Sequence, residues 1–151
     1  MLPRGQAGMA LPVRARGVVT WRSGRENLTI QDDSAGIWVS VTSAQVRGLW
    51  LGNYAEVDKM REGTEVETEG ETDPGGYAPQ ILPKTLRVVG RKAMPTALQM
   101  DPARFFSGAD DCQRLEVRGV VQGFQPSTSG PALPPICTTL CSRPTSGGGG
   151  G

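Results

Sequence analysis

A chain of 151 residues has the length of one ordinary domain, yet only 37% of it is apolar, and the formal net charge of +1 argues for neither a nucleic acid nor an anionic membrane as partner. Histidine is absent, which removes the commonest general base and the commonest metal ligand together. Three cysteines make no disulfide framework, no apolar run is long enough to span a membrane, and Met1-Leu2-Pro3-Arg4-Gly5 lacks the core of a signal peptide.

The charges are unevenly placed. Arg4, Arg14, Arg16, Arg22 and Arg25 precede the first acid, whereas Glu56 to Asp73 is strongly acidic. Residues 1–11 are Gly- and Ala-rich and are expected to be flexible or loosely docked. Pro12 leads into a first strand, Val13 to Trp21, with Val13 and Ala15 on one face and Arg14 and Arg16 on the other. Gly17 interrupts it, as a glycine does at a bulge or at a barrel corner where one strand serves two sheets.

Arg22-Ser23-Gly24-Arg25 is a turn signal. It is followed by a strand at Asn27–Gln31, with Leu28 and Ile30 inward and Thr29 and Gln31 outward. Asp32-Asp33-Ser34-Ala35-Gly36 turns the chain again. A third strand, Ile37 to Thr42, puts Ile37, Val39 and Val41 inward and Trp38 outward. The strand rhythm then breaks. Ser43 is placed to cap a short helix carrying Val46, Leu49 and Trp50 on one face, ended by Gly52-Asn53.

The fourth strand, Thr64 to Glu71, lines up Glu65, Glu67, Glu69 and Glu71, a row expected in water and suited to guarding a sheet edge. Asp73-Pro74-Gly75-Gly76-Tyr77-Ala78-Pro79 is the densest turn signal in the chain. A fifth strand, Gln80 to Gly90, contains Pro83 and so belongs at an edge or carries a bulge there. Residues 93–111 read as a linker with one short helix, because Asp101, Pro102 and Gly108 fit the N-cap, first position and C-cap.

Near residue 112 the first strand returns. Val13-Arg14-Ala15-Arg16-Gly17-Val18-Val19 is echoed by Leu115-Glu116-Val117-Arg118-Gly119-Val120-Val121, roughly a hundred residues later, as tandem domains would be spaced. The echo fades after Phe124. Residues 112–125 therefore read as the first strand of an incomplete second repeat. Residues 126–151, rich in Pro, Ser, Thr and Gly, read as a disordered tail. A repeat that stops in this way is expected of a truncated or frame-shifted reading frame, with a natural flexible linker as the alternative.

Three strands, a short helical connection and two strands joined by a long hairpin loop give an all-β, five-stranded OB-like barrel over residues 12–92. Pro12–Trp21, Ile30–Val39 and Glu69–Pro79 together resemble the tandem OB-like repeats that precede the transmembrane and kinase parts of some bacterial sensor histidine kinases. The resemblance covers about Pro12 to Phe124. It implies an extracytoplasmic input or spacer segment, on the periplasmic side of a membrane sensor; the absence of a signal peptide points instead to the cytoplasm for the chain as given. The resemblance brings no ligand with it, so no functional residue is carried over. The chain has no phosphoacceptor histidine and no ATP-binding glycine box, which excludes kinase activity here.

An OB barrel binds through the exposed face of its second and third strands, between the first hairpin loop and the loop joining strands four and five. The candidate ligand-binding residues are therefore Arg22 and Arg25 in the first loop, Thr29 and Trp38 on the face, and Tyr77 in the later loop. Arginines beside aromatics suit single-stranded nucleic acid. Packing of Trp38 against the connecting helix or the next repeat, with simple solvation of the arginines, is the plainer account. Asp32, Asp33 and Asp73 are read as turn-forming residues and not as a cation site. Cys137 and Cys141 are half of a metal knuckle with no second half. The expectation is a non-enzyme without metal or cofactor: a binding module for a protein or small ligand, with cytoplasmic single-stranded nucleic-acid binding as the alternative.

Overall fold

The computed structural model describes residues 4–48 and 54–120. The elements run α1 (Arg4–Ala7), β1 (Pro12–Ser23), β2 (Asn27–Gln31), β3 (Gly36–Ser40), α2 (Val41–Val46), α3 (Tyr54–Lys59), β4 (Thr64–Asp73), β5 (Gln80–Arg91), β6 (Leu98–Gln99), α4 (Pro102–Ser107) and β7 (Leu115–Glu116). The five long strands close a barrel in the order β1-β2-β3-β5-β4 and back to β1. All neighbours are antiparallel except β3 and β5, which meet in parallel at Trp38–Gln80 and Val39–Ile81. That order and that single parallel contact define an OB-like barrel.

Closure depends on β1 serving both halves. Its first part, Pro12 to Val18, pairs with β4, and its second, Val18 to Ser23, pairs with β2. Gly17 sits at the changeover. A Cβ there would lie 3.0 Å from the Gln31 carbonyl oxygen, so the bare backbone is what lets the crossing strand approach. The bulge itself falls later, at Thr20, between Val19 and Trp21.

The core is aliphatic. Val19, Leu28, Ile30, Val39, Val41, Ala44, Val57, Met60, Val66, Ile81, Leu82 and Leu86 fill the barrel and the underside of its helical plug. Pro83 is accommodated as expected of a proline in a strand, by a bulge opposite Gly70, with Lys84 the extra residue.

Several expectations need correction. The third strand ends at Ser40, and the helix begins at Val41 with Ser40 as its N-cap residue, so neither Thr42 nor the predicted cap Ser43 plays its expected part. The Ser40 hydroxyl instead donates to that of Ser43 at 2.9 Å. Leu49, Trp50, Gly52 and Asn53 lie outside the described residues, as do residues 121–151 with Cys137 and Cys141.

The glutamate row guards no edge, because β4 is paired on both sides. Its outer face meets the arginines of β1 and the basic residues of β5. Glu67 is buried between Arg14, whose Nε donates to it at 2.8 Å, and Arg87, whose Nε donates at 2.9 Å. Arg16 pairs with Glu65, and Lys84 with Glu71. The basic and acidic stretches of the sequence are thus the two sides of one seam.

The N-terminal segment is docked. Ala7 is fully buried and its carbonyl accepts from the Thr72 hydroxyl, while the Leu11 amide donates back to that hydroxyl at 3.0 Å. The segment expected to open a second repeat lies on the first barrel as far as Glu116, where β7 pairs in parallel with β6. A second compact unit starts at Val117; its described part, residues 117–120, contains no strand.

Candidate functional site

One rung of the barrel builds the site. Trp21 on β1 stands opposite Thr29 on β2, Thr29 opposite Trp38 on β3, and Trp38 beside Gln80 on β5. Residues registered across neighbouring strands share a face, so all four point outward together. The two indoles lean over the intervening threonine until their ring centroids are 5.3 Å apart, tilted by 32°. Thr29 is buried beneath them.

The bulge at Thr20 makes this rung. It takes up one residue between the inward Val19–Ile30 pair and the next pair, turning Trp21 outward and Arg22 to the inner side with Leu28.

The loop between β4 and β5 supplies the other wall. Gly75 holds a positive φ of 60°, and a Cβ there would crowd the Ala78 carbonyl carbon at 3.3 Å. Asp73 fixes the entry, accepting from the Gly75 amide at 2.8 Å and from Gln80 Nε2 at 2.9 Å while paired with Arg47. Arg4 donates to the carbonyls of Gly75 and Gly76 at 3.0 and 3.2 Å. So braced, the loop presents Tyr77 with 73% of its surface exposed.

Trp21, Trp38, Tyr77 and Gln80 line a groove of about 480 Å³, with Asp111 and Cys112 in its wall. A second hollow of about 390 Å³ lies across Tyr77, walled by Phe105, Phe106 and the same Asp111–Cys112 segment. Phe105 and Phe106 pack edge to face, with centroids 5.5 Å apart. Trp21, Trp38, Tyr77, Phe105 and Phe106 therefore share one continuous surface, while among the described residues the core cluster contains no aromatic ring.

Of the predicted site residues, Thr29, Trp38 and Tyr77 come together in the groove, and Arg22 and Arg25 do not. Arg22 follows Leu28 toward the barrel end, where it reaches the carbonyls of Asp58 and Met60 at 3.4 and 3.3 Å. Arg25 donates from Nε to Asp58 Oδ1 at 2.7 Å. The Arg25 hydrogen bond first, and then the Arg25 and Arg22 charges, hold the Asp58 carboxyl below its usual range. Sequence reasoning missed Trp21, Gln80, Asp111 and Cys112. A tryptophan just before a turn was the available signal for the first; nothing local marked the others.

The groove offers little chemistry beyond contact. Burial first, and then the Asp111 charge, push the Cys112 thiol up to about 12, so it stays protonated at ordinary pH and is a poor nucleophile. Asp32 is occupied by its own turn, accepting from the Ser34 amide at 2.8 Å and the Ala35 amide at 3.0 Å. The Ser34 hydroxyl is the leading cause of its depressed pKa. Asp73 is spent on the loop. No cluster of metal-ligating side chains occurs among the described residues, and no described helix is long and apolar enough to cross a membrane.

Strand order and register make this protein an OB-like barrel with an aromatic outer face. No family model matches the sequence, and no curated protein does. Among solved structures, the hypothetical protein ygiW from E. coli is similar at 23% identity over 56% of this chain and 85% of that one, with a TM-score of 0.40. An OBody, AM1L10, in its complex with hen egg-white lysozyme, is similar at 13% identity over 54% and 82%, with a TM-score of 0.39.

Proposed function

We propose that the chain is a non-catalytic binding module whose groove takes an uncharged ligand with a flat or apolar face. In the intact protein it would serve as an input or spacer segment of a bacterial signal-transduction system. The observation that carries the binding reading is the grouping of five rings on one outer surface, with none in the barrel core among the described residues. Aromatic side chains are large contributors to core stability, so placing them outside gives up that contribution in favour of a surface that can hold something. The signalling role rests on the repeated strand and on the resemblance of Pro12–Trp21, Ile30–Val39 and Glu69–Pro79 to sensor-kinase repeats.

The nucleic-acid alternative needs cations beside the rings. Arg22 and Arg25 are engaged with Asp58 away from the groove, and the charged residue lining the groove is an acid, Asp111. The test is a titration with the neutral fluorophore N-phenyl-1-naphthylamine, alongside a labelled oligothymidine at low and physiological salt. Saturable fluorophore binding that weakens about tenfold or more in Trp38→Ala is expected. Salt-sensitive oligonucleotide binding without fluorophore binding would transfer the site to the nucleic-acid reading. Neither would sink both.

A further inference from the structure

Asp111 and Cys112 of the groove wall belong to a longer stretch. Segment 110–116 lies across the turn end of β2 and β3 and touches both strands, in part through its backbone. Gln31, on the outer face of β2, is 5% exposed. Its Oε1 accepts from the Arg114 amide at 2.9 Å, and its Nε2 donates to Gln113 Oε1 at 3.0 Å. On the neighbouring strand Gly36 leaves room for the segment. A Cβ at Gly36 would lie 2.5 Å from the carbonyl carbon of Cys112 and 3.2 Å from its Cβ. Cys112 itself holds a positive φ of 59° to make that approach.

The barrel thus treats this stretch as it would treat a bound peptide. One side-chain amide reads a main-chain N–H and a side-chain amide, and a glycine admits the main chain against the sheet. We propose that segment 110–116 is a displaceable, built-in occupant of the β2–β3 face, and that Gln31 and Gly36 beneath it form a binding site for an extended polypeptide segment. Displacement joins this site to the aromatic groove, because Asp111 and Cys112 are the wall between them.

The elements that flank the segment are short. Helix α4, which leads into the segment, buries none of its residues, and β6 and β7 are two residues long. Arg104–Asp110 is an ion pair between α4 and the first residue of the segment and does not tie it to the barrel. The inference rests on the same face as the proposed function but not on the occupant of the aromatic groove, so failure of fluorophore binding would leave it standing.

The test uses the full chain. Gln113→Ala combined with Arg114→Pro removes both partners of Gln31, since proline has no amide N–H, and leaves Gln31 and Gly36 intact. The probe is a fluorescein-labelled synthetic peptide with the sequence of residues 108–116. Wild-type protein, already occupied, should bind it weakly. The released variant should bind it at least about tenfold more tightly, and adding Gly36→Ala should reverse the gain.

Amide hydrogen exchange in the same samples should show segment 110–116 opened, with β1–β5 still protected. Failure of the peptide to bind a released variant with a protected barrel overturns the proposal. Should the double variant lose barrel protection, Gly36→Ala alone decides. Opening confined to 110–116 supports a displaceable occupant. Retained protection of that segment, or loss of the whole barrel, makes it an integral part of the fold and overturns the proposal.

Discussion

Gly70 and Gly90 sit on the same hairpin and should respond oppositely to the same methyl group. Gly70 lies where β5 bulges around Pro83. A Cβ there would fall 2.9 Å from both the Leu82 carbonyl carbon and the Pro83 Cα. Both are main-chain atoms, so no rotamer change relieves the contact; β4 and β5 must part and strain their ladder. Overpacking of this kind costs about 1–3 kcal/mol, and the upper half applies because backbone must move. A gain of about 0.4–1 kcal/mol from a stiffer unfolded chain offsets part of it. Gly70→Ala should therefore lose about 2 kcal/mol, which for a domain of this size lowers Tm by about 8 °C.

Gly90 has nothing within 4 Å of its would-be Cβ and no positive φ. Gly90→Ala should be neutral or gain about 0.4–1 kcal/mol. Urea unfolding followed by far-ultraviolet circular dichroism measures both. Equal stabilities within about 0.5 kcal/mol would refute the claim that bare backbone at Gly70 is what lets the strands meet.

Two further outcomes follow from the charged seam and the arginine cluster. Glu67 is held below the usual 4.5, chiefly by the Arg14 hydrogen bond and then by that of Arg87; Glu65 is lowered in the same way by Arg16. A depressed folded-state pKa gives stability that is present above the unfolded value and lost as pH falls through the folded one. Stability should thus decline on acidification from about pH 4.5 downward. Glu67→Gln should make that decline shallower in urea titrations at successive pH values, and an unchanged slope would remove the seam as its cause. Arg25→Ala should leave fluorophore binding within about twofold of wild type, because Arg25 serves Asp58 and not the groove; a large loss would return the first hairpin loop to the site.

The legible parts of the chain are those written in local backbone chemistry. Asp101, Pro102 and Gly108 became an N-cap whose carboxylate accepts from the Ala103 amide, a first helical residue and a left-handed C-cap. The glycines at 24 and 75 took positive φ within their turns, and Asp32 made the side-chain turn expected of it. Strand order followed from those breaks. What stayed hidden was set by pairing. Alternation from Val13 and Ala15 carries Trp21 to the inside, and only the extra residue at Thr20 sends it out and takes Arg22 in. The glutamate row looked like a solvated edge because its arginine partners lie about fifty residues earlier. The occupant of the β2–β3 face depends on a hydrogen bond spanning 82 residues, for which Gln31 and Gln113 carry no local mark.

Three features of the barrel wall have counterparts in the site. The bulge at Thr20 supplies Trp21, without which Trp38 would have no second ring and Thr29 no cover. The positive-φ turn at Gly75 lifts Tyr77 into the same line, and Gly36 admits the backbone of Cys112, which stands in the groove wall. A regular five-stranded barrel with this aliphatic core would close equally well without any of the three. Their energetic cost is local, and the aromatic surface they assemble adds nothing to the core cluster. Aromatic exposure on the face that OB barrels use for ligands is what the proposed binding role requires.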